Sequence, residues 1–215
     1  MIVKKRRLIE IFHRTSFKSS SKPVFRLASG KLSEYYIDCK QALSEPEARF
    51  LIGELIFDLT ENEAFDAVGG LELGAYPIAT SVSDRIYCNT GKAVRAFVVR
   101  KEPKTHGVTN LVAGHVEKGD KTLIVDDVVT TGGSTIRAIR VARQEGLSVQ
   151  RVVVLVDREE DDGRKNIEAE GVKFNALLTL SDLRELDNDS AQQSNQDANH
   201  RRLVRNQPVG AFVAR

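Results

Sequence analysis

The chain has 215 residues, of which 41% are hydrophobic and 29% charged, and its formal net charge is +2. No apolar stretch approaches the roughly 20 residues that a membrane-spanning helix requires, so a transmembrane protein is excluded. The small net charge gives no support to a nucleic-acid-binding surface. We therefore expect neither a nucleic acid nor a membrane among the partners of this chain.

The cysteine content and the N-terminus both favour a reduced, cytoplasmic location. Cys39 and Cys88 lie far apart, without the spacing of a metal site or a disulfide framework. The start of the chain, MIVKKRRLIEIF, is basic but has no apolar segment of signal-peptide length and no cleavage site of small residues.

The N-terminal part of the chain, about residues 1–40, predicts a small lobe. Apolar positions between Val3 and Phe12 have the spacing of a short amphipathic helix. The serine-rich stretch 19–21 indicates a loop, and the run YYID at 35–38 is typical of a strand.

Beyond this lobe, predicted strands and helices alternate. Ser44 and Glu47 have the spacing of a capping box, which predicts a helix over the apolar pattern from Phe50 to Leu59. Further strands are predicted at 65–69, 94–99, 123–125, 152–156 and 174–180. Further helices are predicted to end near residue 86, near residue 145 and near residue 170. Such alternation is typical of an α/β fold with a mainly parallel, twisted sheet flanked by helices.

The C-terminal segment 187–215 is polar, and its first half is rich in Asn, Gln, Asp and Ser. It offers little to bury, so we expect a disordered or loosely attached tail. The remainder, 1–186, is expected to form a single domain.

The segment TLIVDDVVTTGGST, residues 122–135, predicts a site for a phosphorylated ribose. Its strand at 123–125 is expected to be central and to end at Asp126 and Asp127. Ligands bind at that end of the strands in open α/β sheets. Adjacent carboxylates project to different sides of an extended backbone, so the two acids can take two ribose hydroxyls, directly or through a metal.

Residues 130–135, TTGGST, follow the two acids and start the next predicted helix. Backbone N–H groups at such a helix start can close around a phosphate, and the two glycines permit a close approach. The pattern GxxxxGK[ST] is absent, which excludes a nucleotide P-loop. The alternative interpretation is an acidic strand end followed by an ordinary Ser/Thr cap.

The sequence VDDVVTTGGST resembles the phosphoribosyl pyrophosphate (PRPP) motif of the type I phosphoribosyltransferases, a highly specific pattern. The resemblance implies their fold, with a small N-terminal hood lobe over the parallel sheet. It implies that the acids hold the ribose hydroxyls, that residues 130–135 wrap the 5-phosphate, and that Mg²⁺ rides on the pyrophosphate near the acids without an assigned protein ligand. The PRPP-binding residues implied here are Asp126, Asp127, Val128, Val129, Thr130, Thr131, Gly132, Gly133 and Ser134.

A second motif, RKEPKTHG at 100–107, forms a cationic loop after an apolar strand. Pyrophosphate gains negative charge as it leaves, so mobile cations that close over it stabilise the transition state and exclude water. The alternative is a solvated charged loop. The pattern RKxxKxHG resembles the catalytic loop of the orotate phosphoribosyltransferases, which implies a homodimer whose loop 100–107 reaches the neighbouring subunit. By this resemblance the catalytic and PRPP-binding residues of the loop are Arg100, Lys101, Lys104 and His106.

Other stretches agree with the same family. FRLASG at 25–30, YYID at 35–38 and VDR at 156–158 are similar to its patterns, so the resemblance spans about residues 8–183. It implies that Arg158 pairs with the orotate carboxylate and that Thr130 contacts the base. The alternative for Arg158 is a surface ion pair with Glu159 or Glu160.

Two positions leave questions open. Many relatives have Lys where this chain has Ala28, and other branches have small residues there. The glycine-rich turn GGLELGA at 69–75 matches the family turn that approaches pyrophosphate, but it carries Glu72, which could face a metal or solvent.

The resemblance predicts transfer of ribose 5-phosphate from PRPP to orotate, giving orotidine 5′-phosphate and pyrophosphate in pyrimidine (UMP) biosynthesis. Orotate is already anionic, so the acids are assigned to ribose binding rather than to general base catalysis. The alternatives are a phosphoribosyltransferase for another base and a PRPP-sensing regulator, which is expected to carry a DNA-binding helix-turn-helix.

Overall fold

The computed structural model of this chain describes residues 1–27, 30–102 and 111–187. The predictions for Ala28, Lys104, His106 and the polar tail beyond residue 187 lie outside the described residues.

The N-terminal lobe is built from one helix and two small antiparallel ribbons. Helix α1 (Ile2–Thr15) buries Leu8, Ile11 and Phe12, which confirms the predicted amphipathic helix. Of its four strands, the first pairs with the fourth and the second pairs with the third. These strands are β1 (Phe17–Ser19), β2 (Phe25–Arg26), β3 (Leu32–Ser33) and β4 (Tyr35–Ile37).

Two helices follow the lobe, and the predicted capping box between them is wrong. The hydroxyl of Ser44 donates to the carbonyl of Gln41 inside α2 (Cys39–Ser44), so it is not available to cap the next helix. Helix α3 (Pro46–Thr60) begins instead at a proline, whose fixed φ and missing N–H suit the first position of a helix.

The central sheet has six strands in the order β10, β9, β8, β5, β6, β7. Every neighbouring pair is parallel except β6 with the short edge strand β7. The mainly parallel sheet is therefore confirmed. The strands are β5 (Ala67–Leu71), β6 (Arg95–Val99), β7 (Val112–Ala113), β8 (Lys121–Val129), β9 (Ser148–Asp157) and β10 (Lys173–Thr179).

Helices cover both faces of this sheet. They are α4 (Ala75–Thr90), α5 (Gly133–Gln144), α6 (Gly163–Glu168) and a last helix, α7, over 180–187. Strand β8 is buried on both sides, since Leu123 and Val125 pack into one hydrophobic cluster and Ile124 and Val129 into the other. This explains its uninterrupted apolar sequence. None of the helices in the described ranges combines the length and apolar character needed to cross a bilayer.

The strand order creates a crevice between β5 and β8. The chain builds outward from β5 to β6 and β7, and then outward in the opposite direction from β8 to β9 and β10. Ligands of open α/β sheets bind at the carboxyl ends of the strands where the order reverses in this way.

Candidate active site

A cavity of about 620 Å³ lies at the carboxyl ends of β5 and β8. It brings together the glycine-rich turn after β5, the acids of β8, the phosphate loop that follows β8, and the base of the cationic loop. Of the predicted site residues in the described ranges, Arg100, Val129 and Arg158 are absent from its walls. The cavity is lined by Leu27, Lys40, Leu71, Glu72, Leu73, Gly74, Lys101, Asp126, Asp127, Val128, Thr130, Thr131, Gly132, Gly133 and Ser134.

The two acids lie inside β8 rather than at its end, because the strand continues to Val129. Its pairing with β9 continues beyond the acids to the pair of Val129 with Asp157. The predicted end of the strand at the acids is therefore wrong by a few residues. A long neighbouring strand supplies hydrogen bonds that the local sequence does not reveal.

Asp126 is a buried carboxylate that holds the phosphate loop. Its Oδ2 accepts hydrogen bonds from the hydroxyls of Ser134 at 2.9 Å and Thr135 at 2.7 Å, and its Oδ1 accepts from the backbone N–H of Asp127. Burial, followed by the nearby charge of Asp127, raises the pKa of Asp126 to about 7. Its direct contact with a ribose hydroxyl stays a prediction, since both oxygens already accept hydrogen bonds.

Asp127 is the more accessible acid, and it lies against the glycine-rich turn. Its Oδ1 accepts from the N–H of Val128 at 2.8 Å. A Cβ on Gly74 would come within 2.5 Å of the Asp127 carboxylate, so only glycine lets the turn approach this closely. The carbonyl of Asp127 accepts from the Cys39 thiol, whose pKa is raised by burial and then by the charge of Asp127.

The phosphate loop makes a tight passage from β8 into α5. Gly132 has a φ of 83°, a left-handed conformation that favours glycine, and it caps the helix. Gly163 packs against the outside of this loop, since a Cβ there would lie 2.3 Å from the Thr130 carbonyl oxygen. Asn166 also donates to the Thr131 carbonyl. Helix α6 thus holds the loop on one side, and the other side of the loop faces the cavity.

The base of the cationic loop is held to the sheet. The N–H of Arg100 donates to the carbonyl of Leu111 at 2.8 Å, which joins the two ends of the segment. Lys101 lines the cavity, and its backbone contacts two side chains. Its N–H donates to Glu72 Oε1 at 2.7 Å, and its carbonyl accepts from the Arg137 guanidinium.

Arg158 is almost completely buried, with 3% of its surface exposed. Its guanidinium makes a two-point contact with Glu160, with Nε to Oε2 at 2.9 Å and Nη2 to Oε1 at 3.2 Å. Nη2 also donates to the Ser33 hydroxyl of the N-terminal lobe. The ion-pair alternative is therefore present, with Arg158 buried and Glu160 partly exposed. The contact with orotate stays a prediction.

Sequence reasoning missed several members of the cavity wall. Lys40 follows the strand at 35–37 and lies in the first turn of α2, whose N-cap is Asp38. Leu27 comes from the lobe. Leu73 is not a missed residue, since it belongs to the glycine-rich turn 69–75 that the family resemblance places near pyrophosphate. A polar residue just after a strand was the available signal for Lys40, but three-residue strands carry too little pattern to support it.

The donor set of the site bears on magnesium. Among the described ranges no group of three or more His, Cys, Asp and Glu side chains is placed to hold a metal ion. Mg²⁺ is commonly bound by one or two carboxylates together with substrate phosphates, rather than by a cage of protein ligands. Asp127, half-buried at the cavity wall, fits an ion that arrives with its substrate.

Comparisons with known proteins agree on one family. The profile of the Phosphoribosyl transferase domain matches residues 39–176. Orotate phosphoribosyltransferase of Aquifex aeolicus is 41% identical over 183 residues, covering 85% of this chain and 99% of that protein. The same enzyme of Pyrococcus horikoshii is 46% identical over 161 residues, covering 74% of this chain and 83% of that protein.

Solved structures agree as well. Mycobacterium tuberculosis orotate phosphoribosyltransferase in complex with PRPP superimposes with a TM-score of 0.67 at 32% identity, covering 84% of this chain and 92% of that chain. Adenine phosphoribosyltransferase from Leishmania tarentolae reaches a TM-score of 0.60 at 15% identity, with 83% of this chain and 88% of that chain covered. The second likeness shows the fold alone.

Proposed function

This chain belongs to the orotate phosphoribosyltransferases, and we propose that the cavity between β5 and β8 transfers ribose 5-phosphate from PRPP to orotate. The products are orotidine 5′-phosphate and pyrophosphate. The observation that carries the proposal is the meeting of Asp127, the phosphate loop and Lys101 on one cavity wall. These groups match the sugar, the 5-phosphate and the leaving group of a single substrate.

The sugar-phosphate part of the substrate is assigned to β8 and α5. Backbone N–H groups of residues 130–134 and the helix dipole favour the 5-phosphate. Asp127 is assigned to the ribose hydroxyls, because its carboxylate is less buried than that of Asp126. Asp126 holds Ser134 and Thr135 in place, so its first role is to shape the loop.

The leaving group is assigned to the cationic loop. The bond from the anomeric carbon to pyrophosphate breaks as a bond to a ring nitrogen of orotate forms, and the proton of that nitrogen passes to the released pyrophosphate or to water. Negative charge then accumulates on pyrophosphate, and Lys101 with Arg100 stabilises it electrostatically. Positioning of the two substrates supplies the rest of the acceleration, and no strong base is needed.

Magnesium is proposed to arrive with PRPP and to rest near Asp127. When bound, the ion neutralises pyrophosphate charge and fixes its orientation. The acids of β8 would lie near the ion, whose ligands would come mainly from the substrate and water.

Orotate is assigned to the junction of the sheet and the N-terminal lobe, where Arg158 donates to the Ser33 hydroxyl. Its carboxylate suits the planar fork of a guanidinium. The Glu160 carboxylate binds this guanidinium in the structure, so orotate has to share the guanidinium with Glu160 or displace Glu160 from it. Thr130 is the residue of the phosphate loop assigned to the base.

A homodimer is proposed on the family resemblance, and one exposed face supports it. Tyr76 and Tyr87 lie three helical turns apart on α4 and are 49% and 61% exposed, and Leu73 just before the helix is 77% exposed. Exposed aromatic side chains on one face of a helix are a feature of interaction surfaces. Light scattering at micromolar concentration tests for twice the mass of 23.9 kDa. A cytoplasmic location also stays a proposal.

One assay tests the reaction. Purified protein is mixed with PRPP and Mg²⁺, and the loss of orotate absorbance is followed, with adenine, guanine and uracil in parallel reactions. We expect turnover with orotate that depends on PRPP. Turnover of another base alone supports the first alternative, and PRPP binding without turnover of any base supports the regulator. Omission of Mg²⁺ tests the metal requirement.

A further inference from the structure

Two charged side chains hold the backbone of Lys101 from opposite sides. The Glu72 carboxylate accepts from the Lys101 N–H at 2.7 Å, and the Arg137 guanidinium donates to the Lys101 carbonyl. The two contacts fix the peptide groups before and after one Cα atom. They therefore set the direction in which the Lys101 side chain leaves the chain.

Both side chains are themselves anchored to parts of the site. The N–H of Glu72 donates to the Val99 carbonyl at 2.9 Å, which continues the ladder between β5 and β6 by one residue. Arg137 lies on α5, the helix that starts at the phosphate loop. The glycine-rich turn, the phosphate loop and the base of the cationic loop are thus connected through the main chain of Lys101.

Stability alone does not require these contacts. Lys101 and Arg137 are exposed and Glu72 is half-buried. The backbone of an exposed residue can hydrogen-bond to water instead, so the net contribution to folding is small. An acid beside a pyrophosphate site repels the anionic ligand, so its presence there calls for a compensating role. The hydrogen bond that Glu72 accepts from the Lys101 N–H is such a role.

We propose that Glu72 and Arg137 are positioning residues that aim Lys101 at the leaving pyrophosphate. This inference rests on the proposed function and adds two residues to its machinery. Neither residue is assigned a contact with substrate. Each acts through Lys101, so the loss of either is expected to matter only while the Lys101 side chain is present.

The test is a double-mutant cycle with PRPP and orotate as substrates. Glu72→Ala is expected to lower kcat roughly tenfold, the order of one hydrogen bond to a charged group, with a change in the KM for PRPP of less than about threefold. Arg137→Ala is expected to act in the same direction. In a Lys101→Ala background, Glu72→Ala is expected to have almost no further effect, because coupled residues are not additive.

Two further variants separate positioning from folding. Glu72→Gln keeps an oxygen that can accept from the Lys101 N–H, so it is expected to restore most of kcat. Arg140→Ala removes an exposed arginine of the same helix that pairs with Glu170, and wild-type kcat is expected. Thermal unfolding is measured for every variant, and Arg137→Ala, alone and in the Lys101→Ala background, carries the test if Glu72→Ala fails to fold.

The outcomes are distinct. An unchanged kcat in Glu72→Ala, or an equal loss in the presence and absence of Lys101, overturns the positioning role. A fall in kcat that follows the loss of thermal stability across the variants also overturns it. A wild-type protein that turns over no orotate rejects the proposed function and this inference together. An active wild type whose double-mutant cycle shows no coupling between Glu72 and Lys101 rejects the inference alone.

Discussion

The two halves of the cavity are built differently. The sugar-phosphate half belongs to β8 and α5, where Asp126 is buried and holds two hydroxyls of the phosphate loop. The leaving-group half belongs to the base of the cationic loop, where a half-buried and an exposed side chain hold the backbone of Lys101. The first half is fixed by the hydrophobic core, and the second by contacts that water can replace. This division suits a substrate whose ribose 5-phosphate is held throughout the reaction while its pyrophosphate is released.

The largest expected effect concerns the leaving-group half. Lys101→Ala should lower kcat by about 100-fold or more, because a charge contact that strengthens in the transition state is lost. The KM for PRPP should change much less, and thermal stability should stay near that of wild type, since the side chain is exposed. Steady-state kinetics and thermal unfolding measure this. Wild-type turnover would remove Lys101 from the mechanism and leave the sugar-phosphate half to act alone.

A smaller effect is expected in the sugar-phosphate half from Gly74→Ala. The new methyl group would meet the Asp127 carboxylate at 2.5 Å and push it away from the cavity wall. The value of kcat/KM for PRPP should fall roughly tenfold, the order expected from a displaced positioning group. The unfolding temperature should change little, because the end of a side chain can move.

Gly70→Ala is the matched control for that change. Its methyl group would lie 2.0 Å from the Val125 carbonyl oxygen inside the sheet, so we expect lost stability rather than selectively lost activity. If Gly74→Ala and Gly70→Ala destabilise the protein equally, the glycine-rich turn serves packing and not Asp127.

Arg158→Lys tests the base-binding end, with an expected tenfold rise in the KM for orotate. Lysine keeps the charge but lacks the planar fork that pairs with a carboxylate at two points, a difference of about 1–2 kcal/mol. The KM for PRPP should stay within twofold of wild type. Isothermal titration calorimetry of orotate into protein saturated with pyrophosphate gives an independent measure of the affinity for orotate. An unchanged orotate affinity would leave Arg158 with its structural ion pair to Glu160 alone.

The smallest expected effect is a pH dependence of stability from Asp126. Its folded pKa of about 7 lies above its ordinary value of 3.8, so the folded protein binds a proton more tightly than the unfolded chain. Stability is therefore greatest below the ordinary value and is lost as the pH rises through about 7. Between pH 5 and 8 the loss should be about 1–2 kcal/mol, given the coupling to Asp127.

Asp126→Asn should remove this slope. Asparagine keeps one acceptor, and the hydroxyls of Ser134 and Thr135 can rotate to meet its amide. Denaturant unfolding at several pH values compares the two proteins. Parallel curves would mean that the buried carboxylate stays charged in the folded protein throughout this range.

What the sequence could predict follows the same division. The strand, acids and phosphate loop of 122–135 are contiguous, so periodicity and a specific motif were sufficient to find them. The start of α3 was misplaced because Ser44 was already engaged by α2. The end of β8 was misplaced because its partner β9 runs to Asp157. In both cases a neighbouring element set the boundary, and the local sequence does not encode that contact.

The contacts around Lys101 could not be predicted. Glu72 lies 29 residues before Lys101 and Arg137 lies 36 residues after it, and neither spacing indicates a contact. Lys40 was equally hidden, since it reaches the cavity from a short helix after a three-residue strand. Pairings set only by tertiary packing have no periodic signal along the chain.

The unequal burial of the two cysteines makes the protein suited to labelling at a single site. Cys39 is buried with its thiol pKa raised, so an alkylating reagent finds neither access nor thiolate there. Cys88 is exposed on α4, about 100° around the helix from Tyr87 and on the side of Phe50 and Arg85. A fluorophore can therefore be attached at Cys88 in native protein without any engineered substitution, without a chemical change beside the acids of β8 and without covering the helix face of Tyr76 and Tyr87.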